Sequence, residues 1–513
     1  MASQPRTPRR SGSLLSGAGV LVAGRYVVAA LGWIGTVIIA NQLTAGDFGR
    51  FSTIVSILAI VGFVADLKLS RIVLRDVLDA DEKRCGEVVG SYIGLRIVIG
   101  VVSYVVAMAW LLLFGYEREI VEGGAVMGLN LIILSAAFGL ILLFEARLWL
   151  RDVAVSQVLG QVVQFAMTIV VAVLSIASIL WFTWAAVANA VVLIGWLMFA
   201  TRHVTHVRIG FHPPQWWHWL KEAAPLALGS ALDTIYFRID VVMLGLLDTY
   251  TAVGIYSAGY KFSDLIGSVP LAVVTPALTM MVAAWPHDPA AFRRTFRHTL
   301  IILTVAAVGA CVGFVVFAQP LISLVFNDAK YGEATDPARL LVVGQGLHFF
   351  TLLAFTTLVA VGRNRLYPLA MLAGVVVNVG LNLVLIPELS AEGAGWATVI
   401  TEVIVLALLG WGVARIPGIV PLPWVPLAKC AVAGVAAAIV GVVALGRVPW
   451  PVGGLLCGLT YLAIVHFGRV DGPGGLRALA GEPRDDLAPG GPEVDSVIEE
   501  GLDRPEVGGD GTL

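Results

Sequence analysis

Long apolar stretches, separated by short polar segments or turns, recur along the chain from residue 18 to residue 467. A helix needs about 20 apolar residues to cross the hydrocarbon core of a bilayer. Fourteen stretches approach or exceed this length: 18–40, 51–69, 88–114, 123–145, 152–174, 181–200, 223–246, 253–283, 298–318, 338–362, 366–386, 393–414, 428–446 and 448–467. In lipid they must be helices, because a strand would leave its backbone groups without hydrogen-bond partners. The pattern predicts an all-α integral membrane protein with about 14 transmembrane helices.

The lysines and arginines between these spans fall mostly on one side of the predicted membrane. With the N-terminus in the cytoplasm, the cytoplasmic segments hold 23 of them and the outside segments hold five. Cytoplasmic loops are enriched in Lys and Arg. We therefore expect a multi-pass protein of the cell membrane with both termini in the cytoplasm.

The two halves of the membrane part resemble each other weakly. Segment 48–52 (FGRFS) follows the first span, and segment 253–257 (VGIYS) follows the seventh, at an offset of 205 residues. Such a repeat predicts two pseudo-symmetric six-helix lobes with a substrate site between them, although chance similarity between apolar helices is an alternative. The predicted organisation is a disordered N-terminus 1–13, an N-lobe 14–210, a C-lobe 211–418, two added C-terminal helices in 419–470, and a disordered acidic tail 471–513.

Composition excludes an ordinary soluble protein, because 58% of the residues are hydrophobic and only 13% are charged, against about 25% charged in soluble domains. A net charge of −2 gives no indication of nucleic-acid binding. The four cysteines are scattered, which argues against a metal site. Neither a phosphate-binding GxxxxGK[ST] loop nor an HExxH motif occurs. We expect no enzyme activity and no cofactor. Without a loop that binds ATP, any energy source must be an ion gradient, the membrane potential or consumption of a product.

Several ionisable residues lie inside the predicted spans, where each costs at least about 2.5–3.5 kcal/mol. Possible substrate-binding residues on helices 1, 7 and 8 are Arg25, Arg238, Lys261, Tyr256 and Tyr260. Possible ion-coupling residues on helices 7, 8 and 12 are Asp233, Asp240, Asp264 and Glu402. We interpret them as the lining of a hydrated cavity between helices 1, 7 and 8, in which arginines would meet phosphate oxygens and acids would bind a proton or cation.

Ion pairing between helices is the alternative interpretation of the same residues. Lys261 and Asp264 have the i, i+3 spacing of a local ion pair. Arg96 lies near the cytoplasmic end of helix 3, and we expect its side chain to extend towards water.

Taken together, several segments resemble the polysaccharide (oligosaccharide) flippase family, the Wzx-type members of the multidrug/oligosaccharidyl-lipid/polysaccharide (MOP) exporter superfamily. They are 43–49 (LTAGDFG), 238–245 (RIDVVMLG), 253–261 (VGIYSAGYK), 378–387 (NVGLNLVLIP) and 393–398 (GAGWAT). Their order and spacing fit over about residues 14–467.

The resemblance implies a fourteen-helix fold that works by alternating access. It implies that an undecaprenyl-diphosphate-linked glycan is flipped from the cytoplasmic to the outer face of the membrane for cell-surface polysaccharide synthesis. A polysaccharide polymerase and glycosyltransferases are possible partners, besides the lipid bilayer. The related lipid II flippases use arginines in their cavity, and Arg25 and Arg238 are the nearest candidates in this chain.

Three alternatives stay open at this point. A drug/cation antiporter of the same superfamily would need an acidic, aromatic-rich cavity, and Arg25, Arg238 and Lys261 argue against one. A membrane-embedded glycan polymerase or ligase typically carries a large outside loop, and the longest outside loop here is short, about 319–337. A scaffold without transport activity is compatible with the same pattern.

Overall fold

The structure is a computed structural model that describes residues 13–66, 69–79, 82–202, 209–363, 365–416 and 422–470. The predicted disordered segments 1–13 and 471–513 lie outside these ranges, except that Ser13 begins the first helix. Apart from one isolated bridge and one 3₁₀ turn, the regular structure of the described residues is α-helical. The helices are α1 (Ser13–Gln42), α2 (Ala45–Asp66), α3 (Leu69–Leu78), α4 (Glu82–Leu113), α5 (Arg118–Ala146), α6 (Leu150–Val173), α7 (Ile179–Thr201), α8 (Pro213–Leu247), α9 (Tyr250–Gly267), α10 (Val269–Ala284), α11 (Pro289–Val325), α12 (Asp328–Tyr331), α13 (Thr335–Ala360), α14 (Leu366–Ala414), α15 (Trp424–Ala444) and α16 (Trp450–Phe467).

The helices account for the predicted transmembrane spans. Twelve segments of the described chain are long and apolar enough to cross a bilayer. One of them, α14, has 49 residues and contains a non-helical residue, Ser390 (φ 53°, ψ −132°). At 1.5 Å per residue it is more than twice as long as the roughly 30 Å hydrocarbon core, so it contributes two spans. Helix α8 matches the charged seventh span, and the total of about fourteen confirms the predicted fold class.

The eighth predicted span is two helices in the structure. Helix α9 ends at Gly267, and α10 begins at Val269 with Pro270 in its first turn. Proline lacks a backbone N–H and fixes φ, so it is accepted at the start of a helix and disfavoured in its interior. The predicted eighth span therefore contains a helix boundary at Ser268.

The outer surface of the bundle is apolar. On α4, Val98, Val101, Val102, Val105 and Val106 are all exposed, at spacings that place them on one side of the helix. In water such a surface would be an aggregation hazard, whereas in a bilayer it is solvated by lipid tails. The chain is therefore a multi-pass membrane protein.

The helices pack as two six-span lobes with two further helices. Helices α1 and α4–α7 pack mainly with one another, as do α10, α11, α13 and α14, and α15 and α16 pack against α11. Helices α2, α8 and α9 pack within their own lobes and also make extensive contacts across the two lobes. A separate apolar cluster that includes Phe317, Cys430 and Tyr461 holds this last pair in place. The boundary between the lobes near residue 210 stays a prediction.

The two lobes are in close contact at one end of the bundle, where the N-terminal halves of α2 and α9 cross. A Cβ atom on Gly49 would lie 1.7 Å from the Tyr250 carbonyl oxygen, and a Cβ atom on Gly254 would lie 1.9 Å from the Ala45 carbonyl oxygen. Only glycine permits such a contact between two backbones. These two glycines are equivalent positions of the internal repeat, and we call this end of the bundle the closed end.

Polar contacts add to the apposition of the lobes at the closed end. Lys330 Nζ donates to the carbonyl oxygens of Asn41 (2.7 Å) and Leu43 (3.0 Å). The Tyr331 hydroxyl donates to the carbonyl oxygen of Ala40 (2.8 Å). These bonds satisfy carbonyl groups at the C-terminal end of α1 that have no partner within the helix, and they tie the N-lobe to the C-lobe segment that follows α11.

Candidate functional site

A cavity of about 320 Å³ lies between α1, α2 and α6 of the N-lobe and α8 and α9 of the C-lobe. Its polar lining residues are Thr36, Ser52, Ser56, Gln161, Gln164, Thr168, Arg238, Ser257, Tyr260 and Lys261. Helices 1, 7 and 8 of the sequence analysis contribute to it as expected, and spans 2 and 5 contribute as well. We call this space the main cavity.

The C-lobe side of the main cavity is cationic. Arg238 on α8 is half-buried, and its guanidinium carbon lies 5.5 Å from the ring centroid of Tyr260. Lys261 on α9 lines the same space, and its Nζ lies 3.5 Å from the Asp264 carboxylate. The i, i+3 pair predicted from the sequence is thus present. Among the described residues Arg238 forms no ion pair with a carboxylate, so its guanidinium group, which lies beside the Tyr260 ring, can bind an anionic ligand in the cavity.

A second cavity of about 440 Å³ adjoins the main cavity and shares Arg238 and Tyr260 with it. Asp233, Asp264 and His348 bring acidic and titratable groups to its wall. Arg238 therefore lines both the main cavity, whose polar groups are cations, hydroxyls and amides, and the second cavity, whose wall also contains carboxylates.

A third cavity of about 260 Å³, lined mainly by apolar side chains, shares Val55 and Met127 with the main cavity. Arg96 lines it and is fully buried, with its guanidinium carbon 4.9 Å from the ring centroid of Phe138. The expectation that Arg96 extends towards water is therefore wrong. Its position on α4 directs the side chain into the N-lobe, where aromatic rings surround it.

Two of the predicted acids accept hydrogen bonds from tyrosine hydroxyls. Asp240 on α8 is 2% exposed and accepts a hydrogen bond from the hydroxyl of Tyr256, which is fully buried on α9. Asp233 accepts a hydrogen bond of 3.0 Å from the Tyr367 hydroxyl of α14. Buried carboxylates require such donors, because an unsatisfied one is costly.

Glu402 belongs to a buried cluster between α13 and α14. One of its carboxylate oxygens lies 2.9 Å from Nδ1 of His348, and the other accepts a 2.9 Å hydrogen bond from the Thr351 hydroxyl. Glu402 is 2% exposed. His348 lines the second cavity, so its imidazole ring connects Glu402 to that cavity by a hydrogen bond.

The structure thus distributes the sequence-predicted site residues over three environments. Arg238, Lys261 and Tyr260 line the main cavity. Asp233 and Asp264 line the second cavity. Tyr256, Asp240 and Glu402 are buried behind the walls.

Arg25 occupies a different position from the other predicted cations. It is exposed on α1, two turns before Gly32, which lines the main cavity. A separation of seven residues places both on the same side of a helix. Arg25 is close enough to Glu145 to interact with it electrostatically. It therefore lies on the cavity side of α1, nearer to the end opposite the closed end, and does not line the cavities described above.

Sequence reasoning missed the amides of the N-lobe wall, Gln161 and Gln164, and the cavity histidine, His348. A signal was present for the amides, because Gln161, Gln164 and Thr168 form a polar stripe at i, i+3 and i+7 along α6. The pairing of His348 with Glu402 joins residues 54 positions apart and had no local signal.

Solved structures with the same fold are membrane transporters. The lipid II flippase MurJ in an inward closed conformation matches with a TM-score of 0.72 and 13% identity, covering 88% of this chain and 99% of that one. A multidrug resistance MATE family transporter of the MOP superfamily in an inward-facing conformation matches with a TM-score of 0.65 and 15% identity, covering 76% and 94%. A MOP superfamily transporter from Pyrococcus furiosus matches with a TM-score of 0.53 and 16% identity, covering 79% and 95%. At such identities the matches show the fold.

Sequence comparison gives the family. No curated protein shows significant sequence similarity to the chain. The family model described as "Polysaccharide biosynthesis protein" matches residues 38–334, which include most of the N-lobe, the cationic helices α8 and α9, and more than half of the chain. The chain therefore belongs to the polysaccharide biosynthesis protein family.

Proposed function

We propose that the protein flips a polyprenyl-diphosphate-linked oligosaccharide from the cytoplasmic to the outer face of the cell membrane, for the synthesis of a cell-surface polysaccharide. The observation that carries this proposal is the pair of cations, Arg238 and Lys261, on the wall of one cavity between two lobes. A diphosphate offers several anionic oxygens, and arginine binds them through two parallel N–H donors. Family membership and the flippase-type fold support the same substrate class.

The proposed transport cycle uses the contact between the lobes at the closed end. The Lys and Arg bias favours an orientation with the closed end outside the cell. In this orientation the headgroup enters from the cytoplasm through the opposite end, where Arg25 lies. The diphosphate then meets Arg238 and Lys261, the sugars fill the main cavity, and the lipid tail stays in the bilayer. Separation of α2 from α9, with closure at the other end, releases the headgroup outside.

The acids of the C-lobe are the proposed coupling groups. Asp233 and Asp264 line the second cavity, and Glu402 is connected to it through His348. A proton or cation bound by this group changes the charge near Arg238 and thereby biases one conformation over the other. Asp240 belongs to the same proposal, with Tyr256 as its hydrogen-bond donor.

The direct test is flipping of undecaprenyl-diphosphate-linked disaccharide in proteoliposomes that contain the purified protein. Replacing Arg238 with Gln keeps a polar side chain and removes the charge. A hydrogen bond to a charged group contributes about 1.5–3 kcal/mol, so we expect the initial rate to fall by about tenfold to a hundredfold. Lys261→Met should act in the same direction.

The matched control is Arg447→Gln. Arg447 is exposed between α15 and α16 and donates to the carbonyl oxygen of Val443 in the last turn of α15. It should leave flipping unchanged. If Arg238→Gln and Lys261→Met flip the substrate as fast as the unmodified protein, the proposed role of the cationic wall is wrong.

The fold is shared with multidrug transporters, so a drug/cation antiporter is the second candidate. The carboxylates of Asp233 and Asp264 in the second cavity are the observation in its favour. The same proteoliposomes discriminate the two functions: uptake of a cationic dye against a proton gradient, without flipping of the glycolipid, would support the antiporter.

A further inference from the structure

Three carboxamide side chains form a hydrogen-bonded group on the N-lobe side of the main cavity. Asn189 on α7 donates from Nδ2 to Oε1 of Gln161 (3.2 Å) and to Oε1 of Gln164 (2.7 Å), both on α6. We call Gln161, Gln164 and Asn189 the carboxamide cluster. Gln161 and Gln164 line the cavity, and Asn189 connects them from behind.

Close packing between α6 and α7 holds this cluster in place. A Cβ atom on Gly160 would lie 2.6 Å from Oδ1 of Asn189 and 2.8 Å from its backbone oxygen, so the absence of a side chain at Gly160 lets the asparagine approach α6. Gln161 is itself 9% exposed. Buried side chains that are fixed by packing lose little conformational entropy when a ligand binds.

The hydrogen-bond pattern decides what the cluster offers to a ligand. Because both glutamine carbonyls accept from Asn189, the two glutamine NH₂ groups remain as donors, and within the described chain they have no partner. Thr36 and Thr168, on the same wall, donate to carbonyl oxygens of their own helices. Their hydroxyl oxygens therefore present lone pairs as acceptors.

The N-lobe wall differs in charge from the C-lobe wall. The residues of α1, α2, α5 and α6 that line the main cavity are all uncharged in the described structure, and Arg238 and Lys261 come from α8 and α9. A ligand that spans the cavity therefore meets cations on one side and neutral donors and acceptors on the other. Hydroxyl and acetamido groups of sugars match the neutral side, since each both donates and accepts hydrogen bonds.

We propose that the carboxamide cluster binds uncharged sugar residues next to the diphosphate, while the cationic wall holds the diphosphate itself. This inference rests on the proposed function and assigns the orientation of the headgroup across the cavity. A site built from buried donors discriminates strongly against ligands that lack the matching group, because its own polar atoms then stay unpaired.

Binding to the purified full-length protein in detergent tests this assignment with two probes, undecaprenyl diphosphate and undecaprenyl diphosphate that carries a neutral disaccharide with an N-acetyl group. The test variant is the double substitution Gln161→Met and Gln164→Met, which keeps side-chain length and removes both donors. Gln319→Met, at an exposed position of α11 away from the cavity, is the matched control.

We expect the unmodified protein and the Gln319→Met variant to bind the disaccharide probe at least tenfold more tightly than bare undecaprenyl diphosphate. The double variant should lose most of that gain and bind the bare probe with unchanged affinity. Arg238→Gln should weaken both probes by the same factor, because it removes a contact to the diphosphate that they share.

Two results would overturn the assignment. In one, the double variant keeps the full gain from the disaccharide. In the other, it loses affinity equally for both probes, which would mean that the glutamines only support the cavity. Failure of the unmodified protein to bind either probe would instead overturn the proposed function, and this inference with it.

Discussion

A side chain added at Gly49 should disfavour the conformation in which the closed end is shut. A Cβ atom there would lie 1.7 Å from the Tyr250 carbonyl oxygen, whereas ordinary contact begins near 3.4 Å. Helix α2 would therefore have to move away from α9 by about 1.7 Å. Overpacking of this kind costs about 1–3 kcal/mol, and about 1.4 kcal/mol changes an equilibrium tenfold. Gly49→Ala should then shift the population away from the closed state by about fivefold to a hundredfold.

Thiol labelling in intact cells measures this shift. The native cysteines, Cys85, Cys311, Cys430 and Cys457, are first replaced by alanine. A single cysteine is then placed at Ser52, which lines the main cavity. A membrane-impermeant maleimide added outside reaches this position only when the closed end opens. We expect faster labelling in Gly49→Ala and in Gly254→Ala, whose added Cβ would lie 1.9 Å from the Ala45 oxygen.

Gly46→Ala is the control for this experiment. It lies in the first turn of α2, but its Cβ would meet its nearest neighbour at 3.5 Å, which is ordinary contact. Its labelling rate should match that of the parent protein. If Gly49→Ala and Gly254→Ala are present at normal abundance and label no faster than Gly46→Ala, the glycine contact does not hold the outside end shut.

Three further expectations follow from the same geometry. Arg50→Gln removes an ion pair of 2.6 Å with Glu117 at the closed end, but this pair is partly exposed, and such pairs contribute about 0–1 kcal/mol. The labelling rate at Ser52 should therefore change by less than about fivefold, and a larger increase would contradict this expectation. Asp264→Asn removes the carboxylate 3.5 Å from Lys261, so Lys261 should bind the diphosphate without competition. The affinity for bare undecaprenyl diphosphate should rise by a few fold in a binding titration, and a fall would refute the proposed role of Lys261. Glu402→Gln should reduce flipping driven by an imposed proton gradient in proteoliposomes while the affinity for the glycolipid stays unchanged; unaltered gradient dependence would remove Glu402 from the coupling group.

The fold was predictable because lipid imposes a simple rule on the sequence. Each span must be helical and about 20 residues long, so hydropathy located the spans and the turn between α6 and α7, where Ser175 has a positive φ of 53°. It did not locate the short helix α3 or the boundary between α9 and α10. The repeat also pointed to Gly49 and Gly254, which meet at the closed end. Their close approach could not be foreseen, because it depends on how two distant helices cross.

The burial and the direction of each side chain could not be predicted from the sequence, for a related reason. Residues on α8 that share a face by spacing, Asp233 and Asp240, point to different partners on α14 and α9. Arg96 lies within reach of the cytoplasmic end by position but is turned inward by the rotation of α4. Helix rotation is set by packing against neighbours, and a single sequence contains no direct measure of it.

Local pairing of the acids explains how a lobe that contains several carboxylates can present a cationic wall. Three of the acids have hydrogen-bond partners that do not line the main cavity: Tyr256 for Asp240, Tyr367 for Asp233, and His348 with Thr351 for Glu402. Within the part of the chain that the structure describes, only Asp264 forms an ion pair with a cation of the main cavity, and it pairs with Lys261 at 3.5 Å rather than with Arg238. The charge that a substrate meets is therefore set by which groups are satisfied inside the protein and not by the count of acids and bases in the lobe. An anionic headgroup has to compete with one exposed carboxylate, whereas a cationic drug in the main cavity would face Arg238 and Lys261 directly.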